Sequence, residues 1–223
     1  MKLKIDLHVH TIFSGDSSIT LEKAGLMVQK LGLDGIAITD HDTVEAHQKI
    51  HENLGFIIIP GIEVTTTDGH ILGLGVSEPV KPGLSAVETI EKIHELGGLA
   101  VVPHPMVPFK RSLDRFVLEQ VKPDAIEVFN ASVPHFFHVK QIEDFVKQKN
   151  LSKTAGSDAH VAWSIGQAYT VIDVKENSLE EILYAIKNGK TTPMIKNKSI
   201  NDFLLEAFFR LKDKLIGRMS KTR

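Results

Sequence analysis

The sequence predicts an α/β protein built on a mostly parallel sheet, open or closed into a barrel. Short apolar runs alternate with amphipathic helical stretches along its 223 residues. Several runs are apolar on consecutive residues, as in strands covered on both faces. Histidines and carboxylates recur at the C-terminal ends of these runs, the end at which parallel α/β folds gather their active sites.

The strand candidates are "LKIDLHV" (3–9), "GIAIT" (35–39), "FIIIPGIEVT" (56–65), "HILGLGV" (70–76), "GLAVV" (98–102), "DAIEVF" (124–129), "KTAGS" (153–157) and "AYTVIDV" (168–174). The helices between them carry their own start and stop signals. Thr20 is placed to cap "LEKAGLMVQKLG", with Glu22 in the first turn and Gly32 after the last. Ser85 and Glu88 form a capping box ahead of the apolar face of Ala86, Ile90 and Ile93. Ser178 and Glu181 repeat the box before Leu179, Ile182, Leu183 and Ile186, and Gly189 ends that helix. Residues 191–198 read as a joint to a final amphipathic helix, in which Leu204, Phe208, Leu211 and Leu215 share a face and Lys and Arg enrich the other. That helix suits docking on the barrel or on a second subunit better than contact with a membrane surface or nucleic acid.

Composition narrows the function. A hydrophobic fraction of 42% suits one domain with a sizeable core, and a net charge of −2 gives no bulk attraction for nucleic acid. The chain has no cysteine, which excludes disulfides, thiolate metal sites and thiol nucleophiles and is compatible with a reducing cytoplasm. A strand pattern directly after Met1 argues against a signal peptide, and no apolar stretch approaches the ~20 residues of a membrane span. Eleven histidines are the unusual feature.

Their placement gives them meaning. His8 and His10 close the first run, His41 follows the second, and Glu63 comes late in the third. His104 follows "VVP", and Asp158 and His160 follow "KTAGS"; His70 is the exception, at the start of its run. Residues i and i+2 of a strand share a face, so His8 with His10, and Asp158 with His160, can each grip one ion. Neutral imidazole with carboxylate suits zinc, manganese or iron rather than an all-oxygen calcium or magnesium cage. Of the other histidines, His47 and His51 read as an exposed helix face, His94 lies within a helix, and His135 and His138 line a pocket mouth or are surface residues.

In order and spacing, "DLHVHT", "SGD", "AITDHDT", "PGIEVT", "HILGLG", "VVPHP", "IEVFN" and "GSDAH", from residue 6 to 160, resemble the PHP (polymerase and histidinol phosphatase) family. The resemblance implies a distorted seven-stranded (β/α)7 TIM-like barrel over residues 1–195, with 166–193 as a short C-terminal extension, followed by the basic amphipathic helix of 196–223. It implies a metal-dependent phosphoesterase with two or three divalent transition ions (Mn, Zn or Fe). His8, His10, Glu63 and Asp158 would surround the first ion. Glu63 would bridge to a second, completed by His70 and His104, with Asp68 as a competitor for the place of His70. Asp16, His41 and His160 would hold a third. Many relatives read "SDG" where this chain has "SGDSS", but Asp16 keeps its six-residue step from His10.

On this reading Glu63, Asp158 and His41 carry the catalytic chemistry at a metal-activated water. Asp40 and Asp42 flank His41 and would orient it; Asp42 serves equally as a helix N-cap. Lys110 and Arg111, on the loop after His104, would bind phosphate. Asn130 would bond substrate or shape a turn. The expected substrate is a phosphate monoester of a small metabolite or nucleotide. The compact motif layout resembles nucleoside bisphosphate or short-oligonucleotide phosphatases more than histidinol-phosphate phosphatases. Amide-bond hydrolases on similar barrels often use a carbamylated lysine where this chain has Glu63, and a non-catalytic metal-binding module would have no need of nine clustered ligands.

Overall fold

The computed structural model describes residues 1–50, 55–134 and 140–196, together with Leu204, Leu205, Phe208, Phe209 and Lys212. The described residues contain nine strands: β1 (Lys2–Val9), β2 (Gly35–Ile38), β3 (Ile57–Thr65), β4 (His70–Leu74), β5 (Leu99–Val102), β6 (Ala125–Asn130), β7 (Ser152–Gly156), β8 (Ala168–Asp173) and β9 (Thr191–Ile195). They form one sheet in the order β7-β6-β5-β4-β3-β2-β1-β8-β9, curled into a nearly closed barrel. Six helices connect them: α1 (Leu21–Leu31), α2 (Glu45–Gln48), α3 (Ala86–Glu95), α4 (Arg115–Gln120), α5 (Lys140–Lys149) and α6 (Leu179–Lys187).

The expected seven-stranded, mostly parallel barrel is corrected in strand number and direction: β8 runs antiparallel to β1, and two further departures follow. First, β4 runs antiparallel to both β3 and β5. Residues 66–69 link β3 to β4, far fewer than the dozen or more that a crossover requires, so the chain must return as a hairpin. Second, residues 191–195, read as a joint, form β9 at the edge of the sheet, where Pro193 is tolerated. The helix expected over 196–223 lies largely outside the described residues, as do His51, His135 and His138.

The capping signals work as read, with one exception. Thr20 accepts from the Lys23 amide, and Ser85 with Glu88 makes a full box. Ser178 accepts from Glu181, but the Glu181 carboxylate turns to the Lys175 amide at 3.1 Å instead of closing a second box.

Leu3, Ile5 and Leu7 of β1 pack with Ile59, Leu72 and Ile182 in the barrel's apolar filling. Simple alternation would then turn His8 and His10 away from that side. A register shift between Asp6 and Val9 changes the parity, so Val9 packs with α1 residues instead and the histidines turn inward. A second shift, between Glu127 and Phe129, does the same for β6.

No continuous ladder joins β1 to β7. The seam is made by the segment after β7, where Asp158 donates its amide to His8 O (2.8 Å) and His10 donates to Ala159 O (3.0 Å). The buried Asp6 carboxylate accepts from the Ser157 amide (2.9 Å) and the Gly166 amide (2.8 Å). Burial pushes this carboxyl up to about 6, against the lowering effect of those donors. Among the described residues no helix is long and apolar enough to cross a membrane.

Asp124, just before β6, gathers the opposite end. It accepts from His94 of α3 (2.7 Å), Lys187 of α6 (3.1 Å) and the Ala100 amide of β5 (2.9 Å). Burial pushes its carboxyl up, but those three donors outweigh burial and hold it below the usual carboxylate range. Asp124→Ala should therefore cost about 1–3 kcal/mol in urea unfolding near neutral pH. Because the folded-state value is the depressed one, the difference from wild type should be full above the unfolded value of about 3.9 and vanish as pH falls through the folded value. A deficit that persists unchanged in strong acid would contradict this role.

Candidate metal centre

Six of the nine strands deliver the expected ligands to one place. His8 and His10 come from the end of β1, and Asp16 from just beyond the 3-10 turn Ile12–Ser14. His41 lies just past β2 and is bridged to Glu63 of β3. His70 opens β4, opposite Thr65 at the end of β3. The hairpin thus explains why a ligand at a strand's start can join ligands at strand ends. His104 follows β5, and Asp158 and His160 follow β7. Asp42, His104 and Asp158 all have positive φ (55°, 31° and 53°), a left-handed backbone that reverses the chain sharply at a strand end and persists only under surrounding constraint.

Glu63, 1% exposed, is the hub. Its Oε2 lies 3.3 Å from His8 Nε2, 3.2 Å from His10 Nε2 and 3.2 Å from His41 Nδ1. Its Oε1 lies 3.0 Å from His70 Nδ1 and 3.2 Å from His104 Nε2. One carboxylate therefore addresses five imidazoles, three through one oxygen and two through the other.

Asp158 and Asp16 extend the cluster. Asp158 Oδ1 is 3.5 Å from both His10 Nε2 and His160 Nδ1, and 3.8 Å from His8 Nε2. Asp16 Oδ2 is 3.3 Å from His160 Nε2 and 3.8 Å from His41 Nε2. Ser14, which sequence reasoning missed, donates to Asp16 Oδ1 (2.9 Å) and accepts from the His41 amide (3.2 Å). Side-chain donors converge within ion-holding reach in three overlapping groups: His8, His10 and Glu63; His41, Glu63 and His70; and His10, Asp16, His41 and His160.

The electrostatics fit divalent cations. Burial pushes the Glu63, Asp158 and Asp16 carboxyls up, yet surrounding imidazoles, and Lys110 for Asp158, outweigh it and hold all three well below the usual range. Burial lowers His10 too, but hydrogen bonds to Asp158 and Glu63 push it up to about 9. Positive charge is thus demanded at the His8–His10 end, whether protons or cations supply it. Burial holds His41 and His104 below their usual value, which keeps lone pairs available for ligation. His8 Nε2 and His10 Nε2 face each other at 3.1 Å, where at most one can donate to the other and a shared cation suits both lone pairs. Imidazole with carboxylate at this density suits a divalent metal ion.

A cavity of about 440 Å³ opens over the cluster, lined by Asp16, His41, Glu63, Thr65, His70, His104, Phe109, Lys110, Arg111 and Asp158. Arg111 is exposed at its wall, and its carbonyl accepts from the His70 amide at 3.0 Å. Lys110 reaches inward and pairs with Asp158 Oδ2. Asn130 is fully buried, bonded to Glu127 (2.7 Å), Asp158 (3.3 Å) and Ser132 (2.7 Å) rather than lining the cavity.

Several secondary expectations take a definite form. Asp40 binds the Thr11 hydroxyl at 2.6 Å. Asp42 caps no helix: it accepts from the Thr65 amide at 2.7 Å, and α2 has Val44 at its N-cap. Asp68 accepts from the Ala86 amide at the start of α3, which turns it away from the place of His70. His47, expected on an exposed face, is half-buried, with Nε2 against the Gly61 carbonyl (2.9 Å). Glu127 was missed altogether. It sits against His8 of the cluster, and its one signal in the sequence is a charge inside the apolar run "DAIEVF".

Comparisons with known proteins agree with this geometry. A PHP-associated family model matches residues 138–191. The chain is 38% identical over 142 residues to an uncharacterised protein of Methanocaldococcus jannaschii, covering 58% of this chain and 82% of the relative. It is 27% identical over 211 residues to a probable phosphatase of Shewanella frigidimarina, covering 79% of this chain and 85% of that one. The fold is similar, with a TM-score of 0.67 and 20% identity, to a Bacteroides vulgatus two-domain protein described as containing a predicted PHP-like metal-dependent phosphoesterase, over 94% of this chain and 70% of that one. From the ordered motifs between residues 6 and 160, the barrel they build, the PHP-associated match and the similarity to these relatives, the chain belongs to the PHP family.

Proposed function

We propose that this chain is a metal-dependent phosphoesterase that hydrolyses a phosphate monoester of a small metabolite or nucleotide, with a nucleoside bisphosphate or short oligonucleotide as the favoured class. The observation that carries this reading is the two-sided contact of Glu63 with five imidazoles, a bridging geometry beneath a cavity that holds a basic wall.

Two or three divalent ions fit the residues: His8, His10 and Asp158 with Glu63 Oε2; His70 and His104 with Glu63 Oε1; and Asp16, His41 and His160. When bound, such ions supply the Lewis acidity that activates water near neutral pH and neutralises phosphoryl oxygens. The protein contributes position and charge. Glu63 and Asp158 hold the imidazoles in register, and His41, which lines the cavity and is held below its usual value by burial, would offer a ring lone pair to the ion it shares with Asp16 and His160. Arg111 offers a planar pair of donors to a phosphate entering over Thr65 and His70. A volume of about 440 Å³ admits a phosphate and a small organic group rather than a folded protein surface.

A panel of phosphate esters, each assayed with manganese, zinc and iron, tests the reading. Wild type should release phosphate from at least one ester, and His10→Ala should lose about 100-fold or more, with fewer ions retained per chain. No release from any ester with any of the ions would overturn it. Arg111→Ala should raise KM for the ester while leaving kcat nearly unchanged, as expected for loss of ground-state phosphate binding; unchanged kinetics would remove Arg111 from phosphate recognition.

A further inference from the structure

We propose that Glu127 is the positioning residue that sets the tautomer of His8 and so decides whether His8 can ligate an ion, an inference that rests on the metal-dependent reading above. Glu127 is 2% exposed and lies on β6, behind the cluster relative to the cavity. Its Oε1 is 3.2 Å from His8 Nδ1. Its Oε2 accepts from the His104 amide (2.9 Å) and from Asn130 Nδ2 (2.7 Å).

The roles of these atoms are fixed by a chain of partners rather than chosen freely. Asn130 Oδ1 accepts from the Ser132 amide (3.0 Å), which leaves its NH2 group facing Glu127. Oε2 of Glu127 therefore meets two N–H donors and acts as an acceptor toward both, as a carboxylate oxygen does. The carboxylate's other oxygen can only accept, so His8 carries its proton on Nδ1. Its Nε2 lone pair then points at His10, Glu63 and Asp158, where an ion would be held.

Space confirms how closely the pair is fitted. A Cβ built on Gly156 would lie 2.4 Å from His8 Cβ and 2.7 Å from Glu127 Oε1, so β7 approaches this contact with no room to spare. Glu127 also holds the backbone of His104, itself in the left-handed region, and so reaches ligands on both sides of Glu63.

Glu127→Gln isolates the claim, because it preserves shape and removes one acceptor. The two donors at the Oε2 position retain the amide oxygen there, which turns the glutamine NH2 toward His8 Nδ1. His8 must then accept at Nδ1 and carry its proton on Nε2, where it points into the ion's place. The test is made on zinc-loaded protein, with zinc affinity and stoichiometry from chelator competition and the tautomer from imidazole ¹⁵N–¹H correlation spectra. Wild type should show His8 protonated at Nδ1. The variant should bind the corresponding zinc about 10–100-fold more weakly, with the His8 proton moved to Nε2 and kcat for the ester reduced. A purely structural role for Glu127 would lower thermal stability without moving that proton.

Wild-type His8 protonated at Nε2 with zinc bound would overturn the proposal, and this holds even if the variant does not fold. Unchanged zinc affinity in a folded Glu127→Gln variant would overturn it as well. Wild type that binds zinc with the expected tautomer yet hydrolyses no ester would overturn the phosphoesterase reading and leave the role of Glu127 standing.

Discussion

The structure depends on the burial of carboxylates that cannot be left uncompensated. Glu63 and Asp158 are almost wholly removed from water, and the field they create requires cationic or donor groups on every side. Isolated charges in such a place are costly. The chain meets the requirement with imidazoles from separate strands, with Lys110, and with Ser132 and Asn130 on the outer oxygen of Asp158. Much of the barrel's upper architecture follows from placing those groups, including the strand shifts in β1 and β6 and the left-handed turns at Asp42, His104 and Asp158. These are local departures from ideal geometry, maintained by the surroundings that they serve.

Two kinds of information in the chain differ in range. Alternating strand and helix patterns, and the capping of α1 and α3, were readable because they depend on neighbours a few residues away. The gathering of His8, His41, His104 and Asp158 was readable because the strand ends of a β/α sheet converge by construction. Direction was harder. Nothing in "HILGLG" states that it runs antiparallel; that information lies in the shortness of residues 66–69. The strand at 191–195 was hidden because an edge strand tolerates Pro193 and buries little.

Partners distant in sequence were the least legible. Lys110 reads as a phosphate-binding cation until the fold brings it to Asp158, and Asn130 as a substrate or turn residue until Glu127 and Ser132 surround it. Asp42 and Asp68 each resemble a ligand or an orienting group in sequence, yet each is used by a backbone amide. A carboxylate's role is set by whichever donors lie nearest in space, and that proximity is a property of the whole fold.

The way the sheet meets itself has a thermodynamic corollary. Since β1 and the segment after β7 are joined by a few amide contacts and the Asp6 carboxylate instead of a ladder, the join is a lightly held circumferential link. His8 and His10 stand on one bank of it, Asp158 and His160 on the other. A cation shared between the banks would act as a rivet, so the occupied barrel would resist local parting there more than the empty one. Catalytic readiness and mechanical closure would then be the same event.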